Sequence, residues 1–128
     1  MIKHLSVCLI AYVMIATAAG CSSNQPKYHP GGPYYYKSWA HYFSPYRPVD
    51  EISKSEADEL ERQGYGFYVA FFNEQGRIKS MEKRYQGKIE FKTLCYYDND
   101  VLKKEEVTDA NGKVTVTLYD KNSNILKQ

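Results

Sequence analysis

The second half of this chain alternates between apolar and polar positions in short runs, each closed by a cluster of turn residues. Tyr65-Gly66-Phe67-Tyr68-Val69-Ala70-Phe71-Phe72 is apolar or aromatic on both alternating faces, the pattern of a strand covered on two sides. Asn73-Glu74-Gln75-Gly76 reads as a turn, followed by a more polar run from Arg77 to Tyr85, then Gln86-Gly87. Lys88 to Tyr97 sets Ile89, Phe91, Thr93, Cys95 and Tyr97 on one face, with Lys88, Glu90, Lys92, Leu94 and Tyr96 on the other. Asp98-Asn99-Asp100 turns, Val101 to Thr108 follows, and Asn111-Gly112 is a hairpin signal because both residues tolerate positive φ. Lys113 to Tyr119 alternates Val114, Val116 and Leu118 with Lys113, Thr115 and Thr117, and Ile125-Leu126 make a last short run.

Ahead of these strands lies one helix signal. In Ser53-Lys54-Ser55-Glu56, Ser53 can accept from the Glu56 backbone while Glu56 reaches back to Ser53, a capping box. Acids at Glu56, Asp58 and Glu59 suit the positive end of the helix dipole, and Gly64 suits the stop. A helix over 54–63 is predicted. Its apolar positions are few, mainly Ala57 and Leu60, so it should lie on a sheet rather than form a core of its own. The expected fold class is α+β, mainly β: one short helix followed by an antiparallel meander of five or six strands.

The first twenty residues follow a different pattern. Lys3 precedes a run from Leu5 to Ala19 that is apolar or small apart from Ser6 and Thr17. That length suits the apolar part of a secretory signal and falls short of the ~20 residues of a spanning helix. Small residues then lead to Cys21. Ala18-Ala19-Gly20-Cys21 resembles the lipobox of bacterial lipoproteins, with Ala18 where the family prefers Leu. The resemblance implies cleavage between Gly20 and Cys21, acylation of Cys21, and a membrane anchor made of lipid. Two or more acyl chains hold a protein stably, where one does so only marginally. With Ser22 after the cysteine, the resemblance further implies sorting to the outer membrane of a Gram-negative envelope, facing the periplasm.

Residues 21–50 hold every proline of the chain, Pro26, Pro30, Pro33, Pro45 and Pro48, together with Gly31-Gly32. Proline at this density disfavours helix and ladder, so the segment is read as a tether between Cys21 and a domain at 51–128. The tether is rich in rings: Tyr28, Tyr34, Tyr35, Tyr36, Trp39, Tyr42, Phe43 and Tyr46. Three readings compete. The rings fold back onto the domain; they lie at the lipid interface; or Tyr34, Tyr35, Tyr36, Trp39 and Tyr42 form a recognition strip for an envelope protein or a glycan.

A short segment recurs. Phe71 to Ile78, Tyr96 to Leu102 and Leu118 to Ile125 each run from an aromatic strand end through a polar turn to an aliphatic restart. Over residues 67–126 this resembles the YD-type hairpin repeats of bacterial surface proteins, and more loosely MORN repeats. Tyr97-Asp98 and Tyr119-Asp120 carry the Tyr-Asp pair, and Gly76 fills the usual glycine position. The resemblance implies a scaffold or binding sheet and adds no activity.

Candidate chemistry is sparse. The three cysteines divide into Cys8 in the signal, Cys21 at the anchor and Cys95 in a strand pattern, which leaves no pair for an internal disulfide after processing. His4 lies in the signal, and His29 and His41 lie in the tether without a set of metal ligands around them. No nucleotide loop or hydrolase motif occurs. Glu105 and Glu106 are adjacent in a strand and point to opposite faces, so they cannot flank one bond. Asp98-Asn99-Asp100 lacks the glycine and the distant glutamate of a calcium loop. The formal net charge is +2, and a signal carrying Lys3 and no acid takes it to +1, so there is no electrostatic case for nucleic acid. No catalytic, cofactor-binding or metal site is expected. The leading expectation is a non-enzymatic envelope lipoprotein that binds or scaffolds. An immunity or exclusion lipoprotein and a small envelope hydrolase are the alternatives.

Overall fold

The computed structural model describes residues 27–40 and 47–127, and everything below concerns those residues. They form a mainly β structure with one short helix: β1 (Gly31–Ala40), β2 (Arg47–Ile52), α1 (Lys54–Arg62), β3 (Phe67–Phe72), β4 (Ile78–Tyr85), β5 (Lys88–Asp98), β6 (Val101–Asp109), β7 (Val114–Tyr119) and β8 (Ile125–Lys127). All eight strands join one antiparallel sheet in the order β2-β1-β3-β4-β5-β6-β7-β8.

The sheet has eight strands where the hydrophobic pattern predicts five or six, and the helix follows two strands instead of opening the domain. The extra strands are β1 and β2, drawn from the segment read as tether. Proline density hides them, yet both prolines within these strands sit where a ladder can tolerate them. Pro33 falls within the register shift between Gly31 and Tyr34, and Pro48 lies on β2, an edge strand.

The predicted helix is present and its ends follow the expected chemistry. Ser53 Oγ accepts from Glu56 N at 3.1 Å, and Ser53 N donates to Glu56 Oε2 at 2.7 Å. At the other end Gly64 takes φ 82°, Gly64 N donates to Glu61 O at 3.0 Å and Tyr65 N to Leu60 O at 2.8 Å. That paired arrangement is a Schellman stop, which needs a residue comfortable at positive φ.

The turns divide into two kinds. Gln86-Gly87 and Asn99-Asp100 each place both residues at positive φ, as tight two-residue hairpins demand. The other three share a five-residue loop. Asn73 Oδ1 accepts from Gln75 N and Arg77 N, Asp109 Oδ1 from Asn111 N and Lys113 N, and Asp120 Oδ1 from Asn122 N and Asn124 N, all at 2.8–3.1 Å. In this loop Gly112 alone of the Asn-Gly pair has positive φ, so the Asn111 side of the sequence argument is corrected: the turn is set by Asp109.

Residues paired across antiparallel strands share a face, which sorts the core into two clusters. On one face α1 covers Phe67 and Val69 with its buried Ala57, joined by Tyr35, Ile52 and Leu60. On the other, Tyr36, Ala70, Phe72, Ile78, Met81, Cys95, Leu102 and Tyr119 form the larger cluster, with Tyr28, Tyr34, Trp39, Tyr68 and Tyr97 packed against it. We call these the helix face and the core face. β3, apolar on both faces in sequence, is the strand that supplies both clusters. The sheet is curled. β1 and β5 are separated by β3 and β4, roughly 14 Å in a flat sheet, yet the Trp39 and Phe91 rings lie 4.9 Å apart. Register shifts on β3, β4 and β5 supply the local bending.

Candidate functional site

The described residues of the candidate recognition strip do not share one face. Tyr34, Tyr35, Tyr36 and Trp39 all lie on β1, but alternation sends them to both faces. Tyr36 is 4% exposed on the core face, edge-on to Phe72 and Tyr28, and burial raises its hydroxyl pKa above the ordinary value. Tyr34 tilts over Phe72 and donates from its hydroxyl to Pro30 O at 3.2 Å. Tyr35 is on the helix face against Phe67. Trp39 stacks on Tyr68 at 5.4 Å with the rings 21° apart, and leans on Phe91. Burial energy accounts for these rings without a ligand, since each covers apolar surface that the sheet would otherwise expose. Tyr42, like Gly20 and Cys21, lies outside the described residues.

The surface that remains uncovered is elsewhere. α1 covers only the β1 and β3 side of the helix face. Across β5, β6 and β7 no element among the described residues covers that face: Leu94 stands opposite Glu106, Glu106 opposite Val116, Tyr96 opposite Lys104, and Lys104 opposite Leu118. Tyr96, Val114, Val116 and Leu118 are exposed at 42%, 53%, 39% and 37%. The ring in this strip is restrained. Tyr96 donates its hydroxyl to Glu106 Oε2 at 3.1 Å, Lys104 Nζ lies 4.1 Å from the ring centroid, and Lys104 bonds Glu106 at 2.9 Å. The pKa of Tyr96 is raised by its bond to Glu106, and that of Glu106 is lowered by Lys104. The result is a fixed aromatic with aliphatic neighbours and one charge of each sign beside it. Sequence alternation places Leu94 and Tyr96 on one face of β5, but only sheet order sets Val116 and Leu118 beside them.

A second feature lies on the core face. Cys95 faces Glu105, and Glu105 faces Thr117, in a row across β5, β6 and β7. All three are buried, as is Thr93. Among the described residues Glu105 Oε2 and Thr93 Oγ1 have no hydrogen-bond partner. Desolvation raises the Glu105 carboxyl above its usual pKa and pushes the Cys95 thiol far up. A thiol held protonated is a poor nucleophile. Tyr97 closes one end of the row, donating to Ile78 O at 2.8 Å, and its hydroxyl is also pushed up by burial.

Beyond Tyr97 the turns at Asn73–Arg77 and Asn99–Asp100 frame a shallow cleft lined by Asn73, Gln75, Cys95, Tyr96, Tyr97, Asn99 and Asp100. The two turns are tied by Arg77, whose Nε and Nη2 each meet an Asp100 oxygen at 3.0 Å. That bidentate pair lowers the Asp100 pKa and raises that of Arg77. Asp100 is thereby engaged in holding the fold. Among the described residues no group of three or more His, Cys, Asp or Glu side chains could hold a metal ion. Among them, too, no helix is long and apolar enough to cross a membrane.

Among the described residues these features define a class: an antiparallel eight-stranded sheet with one covering helix and a half-face that no described element covers. Residues 32–128 match the model of a family of unknown function, DUF6156, and the chain belongs to that family. The match begins inside β1, so the family unit includes the two strands that proline conceals. No curated protein and no solved structure matches the chain.

Proposed function

We propose that the protein is a membrane-anchored envelope lipoprotein whose sheet serves as a non-enzymatic binding module. The anchor is argued from Lys3, the apolar run and Ala18-Ala19-Gly20-Cys21. Binding rests on one observation, the bare strip around Tyr96. A tyrosine fixed by Lys104 and Glu106 loses little side-chain freedom on contact, and it sits among exposed Leu118 and Val116.

The fold changes what such an anchor would do. With Tyr28 already stacked on Phe72 and bonded through its N–H to Gly76 O, the chain from Cys21 spans at most roughly 25 Å before it joins the sheet. A tether running to residue 50 would reach far deeper into the periplasm. The sheet therefore works close to the bilayer, and its partner is a membrane protein, a lipid-linked glycan or another anchored molecule.

Two measurements test this reading. The intact mass of the protein from a bacterial membrane fraction is expected to equal Cys21 to Gln128 plus two or three acyl chains, and Cys21→Ala should abolish the acylated form. An unacylated product, or an uncut chain, removes the anchor. A photo-crosslinking residue at position 96, in living cells, should give a discrete adduct that the same residue at Glu61 does not. Equal labelling from both positions removes the binding strip.

A further inference from the structure

The cleft between the turns at Asn73–Arg77 and Asn99–Asp100 holds about 590 Å³, inside the roughly 300–1,000 Å³ of small-ligand sites. Such sites are mostly apolar with a few polar groups, and this one reverses the balance. The side-chain amides of Asn73, Gln75 and Asn99 line it, and no aliphatic side chain does. The Asn73 amide oxygen is taken by the turn, accepting from Gln75 N and Arg77 N, which leaves its NH2 group to donate. The Gln75 and Asn99 side chains make no hydrogen bond among the described residues, and both residues are exposed. The ionised group in the lining is engaged, since both oxygens of Asp100 meet Arg77. Tyr96 and Tyr97 form an aromatic wall whose rings are held, Tyr96 by its bond to Glu106 and Tyr97 by its bond to Ile78 O.

We propose that this cleft binds a neutral sugar ring of a glycan. A sugar hydroxyl donates and accepts at once. A planar amide offers a donor and an acceptor side by side, so Gln75 and Asn99 can each meet two neighbouring hydroxyls. The C–H face of a pyranose is apolar and suits an aromatic wall. Other ligands fit less well. A phosphate would need an unpaired cation in the lining and an amine an unpaired carboxylate, and the pairing of Arg77 with Asp100 leaves neither. An extended peptide needs an open strand edge, whereas β3, β4, β5 and β6 are interior strands and the cleft lies at their turns. The site is also preformed. The bidentate pair fixes the distance between the turns and the Asn73 bonds fix the first of them, so little order is lost on binding.

The N-terminal side of the chain arrives at the same place. Tyr28 N donates to Gly76 O, one residue from Gln75. A second hollow of about 400 Å³ shares Asn73, Cys95 and Tyr97 and runs on to Pro30 and Phe72. On the anchored reading proposed above, on which this one step rests, the cleft lies within roughly 25 Å of the acyl chains, where lipid-linked glycans stand. The chemistry of the cleft is independent of the anchor.

The probe is a set of methyl glycosides of glucose, galactose, mannose and N-acetylglucosamine, added at millimolar concentration to the detergent-solubilised full-length chain. At least one is expected to shift the side-chain amide resonances of Gln75 and Asn99 and to leave those of Gln63 unmoved. Gln75→Ala combined with Asn99→Gly, the second chosen because Asn99 sits at φ 48°, should weaken that glycoside about tenfold with an unchanged circular dichroism spectrum. Inorganic phosphate should shift neither amide. No shift with any of the four glycosides overturns the proposal, as does an equal affinity in the double variant, or phosphate bound at the same amides. Sugar analysis of lipids that co-purify with the chain from membranes separates the sources. Sugar above the level of the double variant assigns a lipid-linked glycan, and glycoside binding without it assigns a free or polymer-borne one. Both outcomes support the cleft. An unacylated chain that still responds to a glycoside removes the anchor and keeps the cleft, whereas an acylated chain that ignores all four keeps the anchor and removes the cleft.

Discussion

Cys95 on β5 and Glu105 on β6 stand directly opposite each other on the core face, and both side chains are buried. A thiol is a weak donor and Glu105 Oε2 has no partner among the described residues, so desolvation, with no bond to offset it, raises the pKa of the carboxyl. An acid whose folded pKa lies above its unfolded value binds its proton more tightly when folded. Its favourable contribution is complete below the unfolded pKa and is lost as pH rises through the folded pKa. Glu105→Gln should therefore raise stability at pH 8, on the order of 1 kcal/mol, and change it little at pH 4. Urea unfolding at the two pH values checks this, and an equal effect at both removes the role assigned to Glu105.

Arg77 and Asp100 join two turns that are far apart in sequence. Asp100→Ala should cost about 1.5–3 kcal/mol, the range for hydrogen bonds to charged groups, and should loosen both turns together. Amide exchange is the sensitive measurement: Gly76 and Asp100-side amides of the two turns should speed up in the variant, while the Ser53 cap should not respond.

Gly76 and Gly112 offer a matched comparison. Both have positive φ, 73° and 82°. A Cβ at Gly112 meets open space, whereas at Gly76 it would run into the Tyr28 backbone, whose N–H donates to Gly76 O at 2.9 Å. Gly112→Ala should cost about 1 kcal/mol from backbone strain alone. Gly76→Ala should cost clearly more and should free the Tyr28 ring from its stack on Phe72, visible in denaturation midpoints and in Tyr28 side-chain resonances.

The pKa of Asp120 is lowered by the backbone N–H groups of Asn124 and Asn122. Its sign is opposite to that of Glu105: the contribution is present above the unfolded pKa and is lost as pH falls through the folded one. Asp120→Asn should leave the loop formed at neutral pH and remove its share of the acid-side loss. Hydrogen exchange at Asn122 and Asn124 between pH 3 and 6 reads this directly.

Where a structural signal is local, it was legible along the chain. The capping box at Ser53 and Glu56 needs four residues, and the Gly64 stop needs five, so both ends of α1 were placed within a residue. The strands from β3 to β7 follow from alternation and from their turn residues. The first two strands were not legible. Pro33 and Pro48 argue against a ladder until it is known that one lies at a register shift and the other on an edge, and both facts belong to the sheet. The described part of the recognition strip is divided between two faces for a related reason. Consecutive tyrosines suggest one surface, but strand alternation divides Tyr34, Tyr35 and Tyr36 between two faces.

By itself, then, the sequence determined the helix, the turn chemistry and the alternation within each strand, because these depend on neighbours a few residues apart. Only the tertiary structure decided which strand stands beside which. That placed Val116 and Leu118 beside Glu106 and Lys104, and buried Glu105 opposite Cys95. Pairing energies between strands are set by contacts distant in sequence, and curvature comes from bulges accumulated across several strands. Neither is encoded in any single window of the chain.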